Sequence, residues 1–264
     1  MKIVVCIKQV PDTTEVRLDP VTGTLIREGV PSIINPDDKA GIETAIRLKE
    51  QFPGTTVTIL SMGLMQVDTA MREALAMGAD EAILLSDRPL GGADTWATSS
   101  SLAAVLKKLD YDLIICGRQA IDGDTAQVGP QIAEHLHIPQ VSYVEAIEEV
   151  TEDKIVVRRQ FEDRYHIIEV NFPCLITTLT ELNQPRYMSV GGVFDAYREK
   201  EVQVWNLENI KDTVDMDSIG LKGSPTRVAK SGTKELKGEG EIFEVSPDEA
   251  VSIIIEKLTA KHII

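Results

Sequence analysis

The chain has 264 residues, 43% of them hydrophobic, and its 27 lysines and arginines against 42 acids leave a formal net charge of −15. That balance excludes a basic nucleic-acid binder, and the apolar content excludes a disordered acidic tail. A chain of this length buries roughly 70–75% of its unfolded surface, enough for one large α/β domain or a domain with an appendage, without disulfides.

Residues 2–7 read as a strand, 36–51 as a helix, 56–61 as a strand, 66–77 as a helix, 81–86 as a strand, 95–109 as a helix, 112–116 as a strand and 125–137 as a helix. This alternation predicts a parallel sheet with helices on both faces. Leu102, Val105, Leu106 and Leu109 recur at helical spacing, whereas Val4-Val5-Cys6-Ile7, Ile83-Leu84-Leu85 and Leu113-Ile114-Ile115-Cys116 are unbroken apolar runs. Such runs mark strands buried on both faces, so the expected fold is α/β with a doubly wound, mostly parallel sheet. Ligands of these sheets bind beyond the carboxyl ends of the strands, near the switch in strand order, which directs attention to the segments after Ile7, Leu60, Leu85 and Cys116.

Further along, residues 155–161 and 166–170 predict an antiparallel hairpin around Glu162-Asp163-Arg164, and 175–179 another buried strand. The acidic group Glu145, Glu148, Glu149, Glu152 and Asp153 reads as a solvated turn before that hairpin. Beyond Asn183 the pattern loosens, and residues 222–240, rich in glycine and lysine, predict an extended arm. The arm leads to Ser246-Pro247-Asp248-Glu249, a capping box with proline at the first helical position. Val251, Ile254, Ile255 and Leu258 then form the stripe of an amphipathic helix, which docks either on its own domain or on a partner subunit.

Several chemistries are struck out. Cys6, Cys116 and Cys174 lie far apart inside apolar runs, which suits buried thiols in a reducing compartment rather than a disulfide framework or a metal site. The short apolar start has no small-residue cleavage site, and no stretch approaches the ~18 apolar residues of a membrane span, so the expected location is the cytoplasm. Lys8-Gln9-Val10-Pro11-Asp12 after the first strand holds no Gly-x-Gly-x-x-Gly, and neither a P-loop nor a Gly-x-Ser-x-Gly elbow occurs. His135 and His137 fall on different sides of a helix and, with His166 and His262, read as ordinary histidines; neither a metal nor a catalytic side chain is expected.

Three segments carry ligand chemistry. Gly117-Arg118-Gln119-Ala120-Ile121-Asp122-Gly123-Asp124-Thr125-Ala126-Gln127-Val128 is small, polar and leads into a helix. If Thr125 to Val128 open that helix, their free N–H groups and its positive dipole end attract a phosphate, and Gly123 admits the ligand closely. Alternatively, Asp122 or Asp124 caps the helix and Gly123 makes the turn. In Asn35-Pro36-Asp37-Asp38, Asn35 caps a helix and the acids suit ribose or base donors, or serve the helix end alone. In Gly91-Gly92-Ala93-Asp94-Thr95-Trp96-Ala97-Thr98, Thr95 and Thr98 sit one turn apart and suit the polar edge of a flavin ring, or Thr95 is only the N-cap.

These segments, in this order, together with Val5-Cys6-Ile7-Lys8-Gln9-Val10-Pro11-Asp12, Arg72-Glu73-Ala74-Leu75-Ala76-Met77-Gly78-Ala79-Asp80 and Asn183-Gln184-Pro185-Arg186-Tyr187, make the chain resemble the beta subunits of electron transfer flavoproteins essentially end to end. The resemblance implies an adenine-nucleotide-hydrolase-like fold, a heterodimer with an alpha subunit, and a C-terminal arm and helix that dock on that subunit. It places Cys6, Asn35 and Met62 at the adenosine portion of a nucleotide and the loop from Gly117 to Val128 at phosphate. Members that serve respiratory chains bind AMP there. Asp122-Gly123-Asp124-Thr125-Ala126-Gln127-Val128-Gly129-Pro130 with Gly91-Gly92-Ala93-Asp94-Thr95 resembles instead the electron-bifurcating group, whose subunit binds FAD. That resemblance implies hydride acceptance from NADH, with electrons delivered to ferredoxin or flavodoxin and, through the alpha-subunit FAD, to an acyl-CoA-type or hydroxy-acid dehydrogenase. The run Met188-Ser189-Val190-Gly191-Gly192-Val193-Phe194-Asp195-Ala196-Tyr197 departs from the family's Leu-Pro recognition loop, and Tyr187, Val190 and Phe194 are either partner contacts or local packing. The organisation expected is a nucleotide-binding domain with its hairpin over residues 1–190, a partner-contact segment over 191–221, and the arm and terminal helix over 222–264.

Overall fold

The computed structural model describes residues 1–12, 31–229 and 240–264. Strand β1 (Lys2–Cys6) opens the chain, and β2 (Gln9–Pro11) and β3 (Ser32–Ile34) form a small antiparallel pair beside its exit. Then come α1 (Pro36–Gln51), β4 (Thr56–Met62), α2 (Asp68–Met77), β5 (Glu81–Leu85), α3 (Thr95–Leu106), β6 (Leu113–Gly117) and α4 (Val128–Leu136). Four strands follow, β7 (Gln140–Val150), β8 (Lys154–Gln160), β9 (Tyr165–Asn171) and β10 (Cys174–Thr178). The chain continues through α5 (Val190–Arg198), β11 (Val202–Trp205), α6 (Leu207–Ile210) and α7 (Pro247–Ala260).

The main sheet has nine strands in the order β11-β5-β4-β1-β6-β10-β7-β8-β9, parallel from β11 to β7 and antiparallel across β7, β8 and β9. The chain runs outward from β1 through β4 to β5, then returns to the other flank of β1 at β6, so the switch lies between β1 and β6. Apolar continuity in the strands has a direct cause. In β1, Ile3 and Val5 pack against the α1–α2 layer, while Val4 and Cys6 pack against the α3–α4 layer. Ala82 and Leu84 of β5 and Leu113 and Ile115 of β6 join the first core; Ile83, Leu85, Ile114 and Cys116 join the second. Each such fully buried aliphatic side chain contributes about 1.5–3 kcal/mol. The doubly wound reading therefore holds, as does the hairpin, now β8 and β9.

Four local expectations are corrected. The acidic group from Glu145 is a turn only at its end: Glu145, Glu148 and Glu149 belong to β7, whose Val141 and Val144 are buried, while Glu152 and Asp153 lie exposed in the turn before β8. Its charge is met across the ladder by Arg158, whose Nε lies 3.0 Å from Glu145 Oε1 and whose Nη1 lies 3.6 Å from Glu148 Oε1. The helix expected from 125 begins at Val128, because Asp124 and Ala126 have φ of 48° and 52°, which no α-helix accommodates. Asn35 precedes α1, yet its side chain makes no cap. Asp94, not Thr95, caps α3: its Oδ1 accepts the Ala97 N–H at 3.0 Å.

Past Asn183 the chain is more regular than its pattern suggests. Asn183 Nδ2 donates to Thr44 Oγ1 at 2.7 Å, and Arg186 bridges Glu43 and Glu50 of α1 at 2.8 and 2.6 Å, which pins this segment to the helix. Glu43 is buried, which alone would raise its pKa, but hydrogen bonds from Arg186 and Arg47 hold it below the usual value. α5 then packs on α2, β11 extends the sheet beside β5, and Ile210 and Ile219 enter the second core. Tyr187, Val190 and Phe194 are all exposed, and the Arg198 guanidinium lies over the Phe194 ring at 4.9 Å. Of the expected arm, residues 222–229 carry no regular element and 230–239 lie outside the described residues. The capping box at Ser246 and Glu249 forms as expected, and α7 buries none of its side chains among the described residues. No helix of the described residues is long and apolar enough to cross a membrane.

Candidate functional site

Beyond the carboxyl ends of β1, β4, β5 and β6 the structure holds a cavity of about 570 Å³. Cofactor sites run to roughly 300–1,000 Å³, so the volume is that of a nucleotide-sized guest. A more open depression of about 820 Å³ lies around Lys2, Thr56 and Asp110 at the amino ends of the strands, on the side where doubly wound sheets do not place ligands.

Most of the residues singled out from sequence meet at the first cavity. Cys6 and Met62 line it from β1 and β4; Asp94, Thr95 and Thr98 from the start of α3; and Gly117, Arg118, Gln119, Gly123, Thr125, Ala126, Gln127 and Val128 from the loop after β6. Asn35, Asp37, Asp122 and Asp124 stand behind this lining and hold it. The Asn35 amide donates to the Gln119 carbonyl at 2.8 Å and accepts the Ile121 N–H at 3.0 Å, fully buried. Asp122 pairs with Lys8 at 2.6 Å, and Asp124 Oδ1 accepts from Gln119 Nε2 at 2.9 Å. These ties hold the loop in which Asp124 and Ala126 have φ of 48° and 52°, and loops that mix left- and right-handed residues can gather N–H groups toward an anion.

The site also contains groups that the sequence reading did not commit to. Lys8, Asp38, Cys116, and Gln66 and Val67 of the turn Met65–Val67 all line it. Lys8 had a signal, its place directly after the first strand. Asp38 had a weaker one, because an acid in the first turn of a helix is ordinary. Here its Oδ2 accepts the Lys8 N–H at 2.7 Å and its Oδ1 the Gly117 N–H at 3.0 Å, tying the ends of β1 and β6 together across the switch. No side chain fits at Gly117: a Cβ there would overlap Asp38 Oδ1 and stand 2.8 Å from the Asp38 backbone nitrogen.

Electrostatically the cavity is mixed. Burial raises Asp37, against the attraction of Arg118, and pushes Asp38 up to about 7 against its N–H partners. Burial likewise acts to raise Asp94, but the N–H of Ala97 and the N–H and hydroxyl of Thr226 outweigh it and hold Asp94 below its usual value. Arg118 Nε lies 3.3 Å from Asp37 Oδ2 without hydrogen-bond alignment, and among the described residues it has no hydrogen-bond partner. The Arg118 side chain belongs to the cavity lining, where a guanidinium suits an anionic guest.

The raised Asp38 carries a pH prediction. Its folded value of about 7 exceeds the ordinary 3.8, so the folded state holds the extra proton between these values. The stability this contributes is complete below pH 3.8 and is lost as pH rises through about 7. The span corresponds to a change on the order of 4 kcal/mol. Thermal midpoints measured from pH 4 to 8 should therefore fall with pH more steeply for the native protein than for Asp38→Asn. Equal slopes would show that Asp38 is already ionised in the folded state.

The electron transfer flavoprotein domain family matches residues 22–209 of the chain. An electron transfer flavoprotein subunit beta of Clostridium acetobutylicum is 58% identical over 264 residues, covering 100% of both chains. The caffeyl-CoA reductase-Etf complex subunit CarD of Acetobacterium woodii is 54% identical over 266 residues, again covering 100% of both. The acryloyl-CoA reductase electron transfer subunit gamma of Anaerotignum propionicum is 47% identical over 271 residues with the same coverage. With its fold, its cavity at the strand switch and these full-length similarities, the chain belongs to the electron transfer flavoprotein family as a beta subunit with a role in electron transfer.

Proposed function

We propose that the cavity holds FAD and that the chain is the electron-bifurcating beta subunit of a cytoplasmic, NADH- and ferredoxin-linked complex. The observation that carries this reading is the extent of the lining. It runs from Cys6 and Met62, past the loop of Gly117 to Val128, and on to Gly91–Gly92 and Asp94, Thr95 and Thr98. A mononucleotide ends at its phosphate and would leave the last stretch unused. The Arg118 guanidinium and the small-residue loop of Gly123 to Val128 in the lining suit a diphosphate, which supports the larger cofactor.

When bound, FAD would supply the chemistry of accepting a hydride from NADH and releasing its electrons separately, to ferredoxin or flavodoxin and, through the alpha-subunit FAD, to a partner dehydrogenase. The chain's own residues bind and orient. Backbone N–H groups of residues 125–128 and the Arg118 guanidinium hold the diphosphate. Cys6 and Met62 offer an apolar wall to the adenosine end, with Asn35, Asp37, Asp122 and Asp124 keeping the loop in shape behind it. Thr95 and Thr98 present hydroxyls to the polar edge of the ring; the Thr95 hydroxyl now donates to Gln127 Oε1 at 2.9 Å, a bond that exchanges readily for one to a ligand. No side chain serves as general acid or base.

The relatives named for caffeyl-CoA and acryloyl-CoA reductase complexes favour an acyl-CoA-type dehydrogenase as the partner over a hydroxy-acid one. Residues 1–190 form the nucleotide-binding part and end on the candidate partner contacts Tyr187 and Val190, 191–221 add Phe194, and 222–264 carry the arm and helix to the alpha subunit. α7 supports that last assignment, with Val251, Ile254 and Ile255 each more than half exposed. Replacing Val251 and Ile255 by aspartate is expected to leave the thermal midpoint of the isolated chain within about 1 °C, since surface changes stay within about 0.5 kcal/mol, while abolishing co-purification of the alpha subunit. Undiminished co-purification would assign the helix to another role.

The reading is tested by co-expression with the alpha subunit and a count of FAD and AMP released on denaturation. Two FAD and no AMP per heterodimer is the expected result. One FAD with one AMP would overturn it and make the chain a non-bifurcating beta subunit with AMP as structural cofactor.

A further inference from the structure

Two of the three cysteines stand side by side in the floor of the cavity. Cys6 of β1 and Cys116 of β6 are register partners on adjacent parallel strands. Neighbouring strands run roughly 4.8 Å apart, inside the window of about 4.4–6.8 Å within which two cysteines can be bridged by one short link. Register partners share a face of the sheet, and both residues belong to the core on the α3–α4 side while also lining the cavity. Cys174 is the built-in contrast: it is fully buried, lies in the opposite core and lines neither of the two cavities described above.

We propose that Cys6 and Cys116 form a vicinal dithiol that chelates soft thiophiles, trivalent arsenicals first among them, in competition with the cavity's dinucleotide. With an organic arsenoxide, two As–S bonds form, the As–O bonding is broken, and the two thiol protons leave with that oxygen as one water. Arsenic and sulfur keep their oxidation states, so neither an oxidant nor a reductant is needed. Among the described residues, no set of three His, Cys, Asp or Glu side chains is arranged for a metal ion, and the pair is suited to a guest that two sulfurs satisfy.

The surroundings make the site selective for chelators. The Cys6 hydrogen bond and burial push the Cys116 thiol well above its usual range, which starves any reagent that must attack a thiolate. An arsenoxide reacts with protonated thiols and gains its affinity from holding both sulfurs at once. Cys6 and Cys116 are each less than a tenth exposed, and the cavity is their route to solvent, so a guest seated there shields them. The chelation itself does not depend on which nucleotide fills the cavity; only the competition rests on the function proposed above.

The test uses the full-length chain with its alpha subunit, loaded and stripped of nucleotide, treated with phenylarsine oxide and read by intact-mass spectrometry. The stripped protein is expected to take one arsenical per chain, resistant to excess glutathione and released by a 1,2-dithiol. Nucleotide at saturating concentration should slow labelling at least about tenfold by mass action. Cys6→Ser and Cys116→Ser should each abolish the glutathione-resistant adduct, while Cys174→Ser retains it. A resistant adduct that survives Cys6→Ser or disappears in Cys174→Ser would overturn the dithiol. Equal labelling rates in protein shown to carry its nucleotide would overturn the competition. Failure to retain any nucleotide would count against the cofactor reading alone, because the adduct of the stripped protein still decides the dithiol.

Discussion

Replacing Gly123 by aspartate is expected to strip the beta-subunit nucleotide while leaving the protein folded and assembled. A Cβ at this position meets no atom within 4 Å, and the backbone is not in the region reserved for glycine, so the fold tolerates the side chain. The new carboxylate enters the cavity beside the N–H groups proposed for the diphosphate. At an effective dielectric near 20, a charge within roughly 5 Å of a phosphate charge repels it by about 3 kcal/mol, or about two orders of magnitude in affinity. The measurement is the flavin content of the purified heterodimer together with its thermal midpoint. Full flavin with an unchanged midpoint would show that the anion lies elsewhere. Gly123→Ala serves as the control, expected to retain most of the nucleotide because it adds bulk without charge.

Gly117→Ala is expected to fail in the opposite way, by destabilising the fold around the site. The added methyl would overlap Asp38 Oδ1 and stand 2.8 Å from the Asp38 nitrogen and 2.9 Å from Asp37 Cβ, so the first turn of α1 must move. The move strains the 3.0 Å bond from the Gly117 N–H to Asp38 and the 2.7 Å bond from Lys8 that shares the carboxylate. Overpacking of this kind costs at least about 3 kcal/mol when the obstacle is backbone, which lowers the thermal midpoint by roughly 10 °C in a chain this size. Gly191→Ala in α5, where nothing lies within 4 Å, should be neutral or slightly stabilising. A midpoint for Gly117→Ala equal to that of Gly191→Ala would show that α1 yields at no cost.

Together these two glycines separate what the site needs from what the fold needs. Both sit in one short signature and read alike as small residues near a turn. At Gly117 the reason is crowding by a helix that arrives from residues 36–38, whereas Gly123 faces open space in the cavity, and neither surrounding is local.

Much of the architecture was legible because local and global preferences agree. The apolar runs at Val4 to Ile7, Ile83 to Leu85 and Leu113 to Cys116 announce strands covered on both faces, and the two cores divide their side chains alternately as that requires. The box at Ser246 and Glu249 forms because its partners are three residues apart. Two of the failures share one cause, a partner distant in sequence. β7 was hidden because the charge of Glu145 and Glu148 is met by Arg158 from the next strand. Asn35 was assigned to its own helix, but its hydrogen bonds go to Gln119 and Ile121. Asp94 does cap α3, and it also takes Thr226 from the far end of the chain at 2.9 and 2.7 Å.

The order of residues thus carried the fold class, the end of the sheet at which the cavity opens, and most of the residues that line it. It could do so because hydrophobic periodicity and helix-end chemistry act over a few residues. Which groups face the cavity and which brace its wall was settled by packing. Asp37 and Asp38 are neighbours of one residue type, yet Asp38 alone lines the cavity while Asp37 is turned to Thr180 and Arg118. Cys6 and Cys116 lie far apart in the chain and become partners only through strand register. Such pairings follow from the closing of the sheet around β1, where burial, register and the exclusion of water act on the whole domain at once.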